Sequence, residues 1–217
     1  VDITTSGFVK SKADGEGKLL VKLGKNSVEV PLVVSGVAQP FVADFIKHVN
    51  PVLSRVGCNQ GTCHGSAKGK AGFKLSLRGY DPIFDLRAFT DDLAARRTNV
   101  ASPADSLMLM KSTGFLPHVG GQAIAPASNY YEVVRSWITA GAKLDLATPK
   151  VTSIEITPQN PTIQQLDSTQ QIRIVATYAD GLTKDVTREA FVDSGNTDVA
   201  VTNRWGLMTA MRRGEAP

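Results

Sequence analysis

Apolar and polar positions change rhythm twice along the chain, and the three stretches so marked predict different architectures. In residues 1–40, Leu19-Leu20-Val21-Lys22-Leu23 and Val28-Glu29-Val30-Pro31-Leu32-Val33-Val34 flank the turn signal Gly24-Lys25-Asn26-Ser27, which predicts two short strands. Two strands bury too little to stand alone. The segment therefore reads as the tail of a sandwich domain or as strands that pack onto something downstream. Over 41–148 the period becomes helical. Phe41, Phe45, Val49, Val52, Leu53 and Val56 share a face, Asn50-Pro51 restarts the helix and Gly57 ends it. Asp81-Pro82 and Ser102-Pro103 each join a capping side chain to a proline suited to the first helical position, the second with Asp105 three residues after the cap. Asn129 and Glu132 open a last predicted helix with Tyr130, Val133, Val134, Trp137 and Ile138 as its buried stripe and Gly141 as its stop.

From 149 onward alternation returns. Ile154 and Ile156 alternate, as do Ile172, Ile174, Ala176 and Tyr178; Ala179-Asp180-Gly181 is a turn, and Val199-Ala200-Val201 and Leu207-Met208-Thr209-Ala210 are further short strands about Gly206. Strands at this spacing predict an immunoglobulin-type sandwich. Such a domain needs a strand or two beyond Gly214-Glu215-Ala216-Pro217, so it is expected to be truncated at its C-terminus. Val1 in place of Met reads as the start of a processed or excised piece of a longer precursor.

Two cysteines, the only ones in 217 residues, bring chemistry into this frame: Cys58-Asn59-Gln60-Gly61-Thr62-Cys63 runs directly into His64. Two thiols ending on a histidine are the pattern of covalent haem attachment, in which the sulfurs add to the vinyl groups and the imidazole takes an axial iron position. The usual spacer has two residues and this one has four, which requires an outward bulge that Gly61 would permit. A single-thioether variant stays open. Three other readings of the motif compete with haem attachment, the last two against missing features. A Cys58–Cys63 disulfide would close a short loop of a secreted chain. A zinc site needs two further ligands. A redox dithiol keeps a two-residue spacer at a helix N-terminus.

Charge is modest and uneven: +1 over 1–40, +4 over 41–149 and −1 over 150–217. The basic excess lies with the cysteine motif, in Lys68, Lys70, Lys74, Arg78, Arg96 and Arg97. These residues suit a solvated face, the neutralisation of haem propionates or the docking of an acidic partner. No nucleic-acid fold motif or aromatic interleaving accompanies them, so no nucleic acid is expected. No apolar run approaches the roughly 20 residues of a membrane helix, so no transmembrane segment is expected.

Several ordered blocks carry a family resemblance. Val49-Asn50-Pro51-Val52-Leu53-Ser54-Arg55, Gly57-Cys58-Asn59-Gln60-Gly61-Thr62-Cys63-His64-Gly65, Gly69-Lys70-Ala71-Gly72-Phe73-Lys74-Leu75-Ser76-Leu77-Arg78-Gly79, Pro103-Ala104-Asp105-Ser106-Leu107, Pro117-His118-Val119-Gly120-Gly121 and Trp137-Ile138-Thr139-Ala140-Gly141-Ala142 span about half the chain. With them, residues 42–142 resemble the cytochrome c-like domain of large, secreted, multidomain planctomycete proteins. Residues 151–216 resemble a bacterial Ig-like domain of group 2, through Tyr178-Ala179-Asp180-Gly181, Asp185-Val186-Thr187 and Gly206-Leu207. The fold expected is multidomain: a β segment over 1–40, an all-α cytochrome c-like haem domain over 41–148, and an Ig-like domain over 149–217, the β parts being sandwich segments.

The resemblance implies one covalently attached haem c and a periplasmic, cell-surface or extracellular location. The wider cytochrome family commonly places a methionine where this chain has His118, before a glycine-rich turn, so the resemblance implies a second axial ligand there, changed to imidazole. Met108 or Met110 is the alternative sixth ligand, although helix methionines more often fill a core. His48 is expected to face solvent, opposite Phe41, Phe45 and Val49. Trp137 reads as core with an indole able to reach a propionate, and the alternating Phe73, Leu75 and Leu77 read as apolar walls of the haem pocket.

Two functions follow. The first is a haem module for electron transfer or for redox or ligand sensing, with a redox protein or other domains of the same precursor as partner and the sixth iron position filled or open. The alternative is a non-haem structural or adhesive surface module with a Cys58–Cys63 disulfide. No nucleophile, paired carboxylates or phosphate loop supports hydrolysis, so an electron-transfer or haem-binding role is expected in preference to an enzyme.

Overall fold

Glycines at 57, 61, 65, 69, 72 and 79 leave no run between them long enough to nucleate a helix, and this decides the character of the central region. The computed structural model describes all residues except Thr5, Ser6, Phe8 and Ala94. The chain divides into two compact units, Val1–Val42 and Ala43–Pro217. Unit one holds β1 (Asp2–Ile3) paired with β2 (Val9–Lys10), and β3 (Gly15–Leu23) paired antiparallel with β4 (Asn26–Val34). The second pairing is a hairpin whose register, Leu23 opposite Asn26, leaves only Gly24 and Lys25 in the turn. Pro31 sits opposite Lys18 in a two-stranded sheet, where every strand is an edge and a missing N–H is tolerated.

Unit two begins with α1 (Asn50–Arg55), α2 (Pro82–Thr90), α3 (Leu107–Ser112) and α4 (Asn129–Thr139), of 6, 9, 6 and 11 residues. A single π-type turn, Phe45–Val49, leads into α1; Asp44 caps it by accepting the Lys47 N–H at 2.6 Å. Asp81 caps α2 by accepting the Phe84 N–H at 3.0 Å, as the Asp-Pro signal predicts. Ser102-Pro103 opens only a 3-10 turn, Pro103–Asp105, and α4 is capped by Ser128, whose hydroxyl accepts the Tyr131 N–H at 3.3 Å. Among the described residues, loops, connecting turns and short 3-10 turns make up the rest of 43–148.

Beyond it lie β5 (Val151–Thr157), β6 (Thr169–Gln171), β7 (Arg173–Tyr178), β8 (Thr183–Asp185), β9 (Ala200–Thr202) and β10 (Leu207–Ala210). They form two three-stranded antiparallel sheets, β5-β7-β8 and β6-β10-β9. On β7 the expected alternation buries Ile174, Ala176 and Tyr178, whereas β5 is exposed along its whole length. The expected all-α haem domain flanked by Ig-like sandwich segments is therefore overturned. Among the described residues the chain is mostly sheet, turn and loop, with four short α-helices and ten strands in small sheets. The helix-breaking glycines account for the first part of that correction, and short strands paired only in twos and threes for the second.

The helices meet around an aromatic cluster. Phe45 lies 5.1 Å from Trp137 and 6.5 Å from Phe89, and Phe73 adds a contact to Phe89 at 5.1 Å. Val49, Val52, Leu53, Leu75, Leu109, Val134 and Ile138 close the core around it. Trp137 donates its indole N–H to the Lys143 carbonyl at 2.8 Å, so its polar edge is spent inside the fold and is not offered to a propionate. Phe41, expected on the buried face, is exposed. This core fixes α1 and α4, and α1 delivers the chain to Cys58.

Candidate functional site

Backbone turns fold the cysteine segment onto itself. Cys58 N–H returns to the Leu53 carbonyl of α1 at 2.9 Å, Cys63 N–H to Gln60 O at 3.0 Å, and His64 N–H to Cys58 O at 3.0 Å. The four-residue spacer is thus a closed loop that brings the imidazole back beside the first cysteine. Its second residue points inward: Asn59 is fully buried, donates its amide N–H to Ser54 Oγ at 2.9 Å and accepts the Arg78 N–H on its carbonyl at 3.1 Å. Its Oδ1 has no partner among the described residues. The expected role of Gly61 is corrected here, because a β-carbon on Gly61 would meet only the Leu77 side chain, at 3.8 Å. A β-carbon on Gly65 would collide with the Asn59 carbonyl, so Gly65 is the glycine the loop requires.

His64 Nδ1 lies 3.1 Å from the Phe73 carbonyl, and its ring rests 4.5 Å from the Phe73 ring. His118 Nδ1 lies 3.1 Å from the Gly121 carbonyl, while Gly121 N–H donates to His118 O at 2.9 Å. Gly120 permits that curl, since a β-carbon there would stand 2.9 Å from His118 Cε1. The loop is tied to α3 by Lys111 Nζ, which donates to Pro117 O at 2.6 Å, and by Leu116 N–H, which donates to Met110 O at 3.0 Å. These contacts bring together the two histidines the sequence singles out: their planes are 13° from parallel and their centroids 6.3 Å apart.

A carbonyl oxygen carries no proton, so each Nδ1 must donate, and the Nε2 of a neutral ring keeps its lone pair. Burial holds the His64 pKa below the ordinary histidine range, opposed by the Phe73 hydrogen bond and assisted by the charges of His118 and Arg97. Its imidazole is neutral at neutral pH and available as a ligand. Cys58 is pushed up to about 12 by burial, with Cys63 adding to the rise. Both cysteines are free thiols in the structure. A redox dithiol depends on a depressed thiol pKa, and Cys58 has the opposite.

Other candidates fall elsewhere. Met108 packs against the hydrophobic core, and Met110 lies on the same short helix. His48, expected in solvent, is half-buried and accepts the Asp44 N–H on Nδ1 at 3.0 Å. Of the expected pocket walls, Leu75 is core, Phe73 lines His64 and Leu77 is exposed. Among the basic residues Arg97 is buried. Its guanidinium donates to Ala88 O at 2.8 Å and Gly72 O at 3.2 Å and lies 4.4 Å over the Phe73 ring. Sequence reasoning missed the burial of Arg97 and of Asn59 beside the site. A polar cleft of about 540 Å³ lined by Thr90, Arg96, Thr98, Asn99 and Asp105 includes none of the cysteines or of His64 and His118.

The residues present fit a haem. A metal–imidazole bond of about 2 Å, with about 1.2 Å more to the ring centre, puts two imidazole centres about 6.4 Å apart across one metal ion. The pair found here, with its rings stacked, has about that separation, and ligating histidines characteristically hydrogen-bond a backbone carbonyl through their other ring nitrogen, as both rings do. Zinc fits less well: among the described residues no group of three or more His, Cys, Asp or Glu side chains is placed to hold a metal ion. Compared with known protein families and with curated proteins, the chain matches no family model and no curated protein.

Proposed function

We propose that the chain carries one haem c, bound through Cys58 and Cys63 with His64 and His118 as its axial ligands, and serves in electron transfer or redox sensing. The observation that carries this reading is the parallel His64–His118 pair, 6.3 Å between centroids, with each Nδ1 held by a carbonyl beside two free thiols. The sequence blocks that resemble the planctomycete cytochrome c-like domain agree with this reading. When bound, the iron supplies a one-electron couple whose potential follows axial ligation and burial. The residues of the chain do the rest. Cys58 and Cys63 would anchor the macrocycle, while the Phe73 and Gly121 carbonyls set the ring tautomers and Phe73 packs against His64.

Haem c is attached after export, so the proposal places the chain in the periplasm, at the cell surface or outside the cell, with a redox protein or other domains of its precursor as partner. Among the described residues no helix is long and apolar enough to cross a membrane. The deciding experiment is spectroscopic. Chain produced with an export signal and haem-attachment machinery should show a Soret band that survives denaturation and acid extraction, and an intact mass one haem above the polypeptide. A colourless protein of bare mass with a Cys58–Cys63 disulfide would favour the adhesive module instead.

A further inference from the structure

Two guanidinium groups converge on one phenyl ring at the flanks of the cysteine motif. Arg55, the last residue of α1, has its Cζ 5.0 Å from the centre of the Phe191 ring, and Arg78 has its Cζ 4.6 Å from the same centre. Both are joined to the motif through the backbone. The Cys58 N–H is anchored on Leu53 of α1, and the Arg78 N–H donates to Asn59 O inside the spacer at 3.1 Å. Arg78 reaches this place with a left-handed φ of 57°, a conformation that costs a non-glycine residue energy.

Phe191 belongs to the turn that follows β8. That turn is fastened to the helical part of the same unit by Arg55 Nη1, which donates to Ala190 O at 2.9 Å, and by the Tyr130 hydroxyl, which donates to Arg188 O at 2.9 Å. The stretch that carries both arginines is basic. Residues 45–80 hold six basic side chains and no acidic one. Among the described residues neither Arg55 nor Arg78 has a carboxylate within ion-pair distance, and Glu189 of the same turn pairs with Lys184 at 3.8 Å. A phenyl face attracts cations through its quadrupole, which lets one ring hold two guanidinium groups that would otherwise separate into solvent.

We propose that Phe191 is a positioning residue of the haem site: it gathers Arg55 and Arg78 against the cysteine loop and thereby raises the reduction potential of the iron. The proposal rests on the haem reading above. Fixed positive charge beside the loop favours the reduced state, which carries one positive charge fewer. The segment after β8 is then a working part of the redox site and not a spacer.

The test is an optical redox titration of the full, haem-loaded chain. Phe191→Ala and the Arg55→Met/Arg78→Met double variant should each lower the midpoint potential, and Phe191→Tyr, which keeps the ring face, should restore it. In the double-arginine background Phe191→Ala should produce no further fall, since the ring acts through those charges. Arg78→Met alone, at an exposed side chain, keeps the test decisive if Phe191→Ala folds poorly. A normal haem spectrum with an unmoved potential in Phe191→Ala and Arg78→Met overturns this proposal alone. Absence of any Soret band in the wild-type chain sinks the haem reading and this proposal with it.

Discussion

The guanidinium of Arg97 lies 4.4 Å over the ring of Phe73, the residue whose carbonyl holds His64 Nδ1 at 3.1 Å. A buried cation thus stands one residue away from a proposed axial ligand. Its two hydrogen bonds, to Ala88 O of α2 and Gly72 O of the glycine loop, stitch those segments together beneath the ring. Asp92 lies at 3.9 Å, at the edge of ion-pair distance, so carbonyls and an aromatic face do most of the work of holding this charge.

Replacing Arg97 with Met should cost about 1–3 kcal/mol, because the buried Ala88 carbonyl and the partly buried Gly72 carbonyl lose their donor. Arg97→Lys should recover only part of that loss, since an ammonium cannot span both carbonyls and cover the ring as a planar fork does. Chemical denaturation of the two variants checks the order. Equal stability of Arg97→Met and wild type would show that the cation contributes nothing to holding the glycine loop.

The loop glycines separate cleanly. Gly65→Ala drives a β-carbon into the Asn59 carbonyl and should destabilise by about 1–3 kcal/mol or abolish haem loading. Gly61→Ala meets only a side-chain methyl at 3.8 Å and should be neutral or stabilising by up to about 1 kcal/mol, through reduced entropy of the unfolded chain. Thermal melts and haem content measured side by side decide the matter. A Gly61→Ala protein worse than Gly65→Ala would contradict the geometry of the loop.

What the sequence made legible was local chemistry. Asp81-Pro82 announces the start of α2, Gly57 the end of α1, and Cys58, Cys63 and His64 announce one another by adjacency. His118 was legible through its glycine turn, although only the folded chain brings it to His64. Three features were illegible for physical reasons. A 3.6-residue wheel puts His48 in solvent, but Phe45–Val49 winds as a wider π-type turn and His48 is half-buried. Leu77 continued an apolar alternation, yet it opens a 3-10 turn whose next residue is left-handed. Burial of Asn59 has no sequence signal at all, because a polar amide in a loop normally faces water.

On the proposed reading His118 would hold the second axial position, and His118→Ala should then turn a low-spin spectrum into a high-spin or exogenously ligated one. Met108→Ala and Met110→Ala should leave the spectrum alone. Gly120→Ala, which presses on His118 Cε1, should weaken the low-spin signature without removing the ligand. A His118→Ala protein that keeps the wild-type low-spin spectrum rules His118 out and returns the methionines to consideration.

Acid should unlock the chain at His48. Burial, assisted by Lys184 and Lys47 and opposed by Asp44, holds its pKa at about 4 against 6.5 for the free side chain. Protonation at Nδ1 also breaks the bond that this nitrogen accepts from the Asp44 N–H. The unfolded chain therefore binds a proton at higher pH than the folded one does, and stability rises with pH between about 4 and 6.5. The contribution is fully present above 6.5 and is lost as pH falls through about 4. The full shift corresponds to about 3 kcal/mol, reduced to about 1–2 kcal/mol because part of the ring remains open to water. His48→Gln, neutral throughout, should have a shallower acid slope. Denaturation midpoints at pH 7.5, 5.5 and 4 for the two proteins should converge toward low pH if His48 supplies that slope, and should run parallel if it does not.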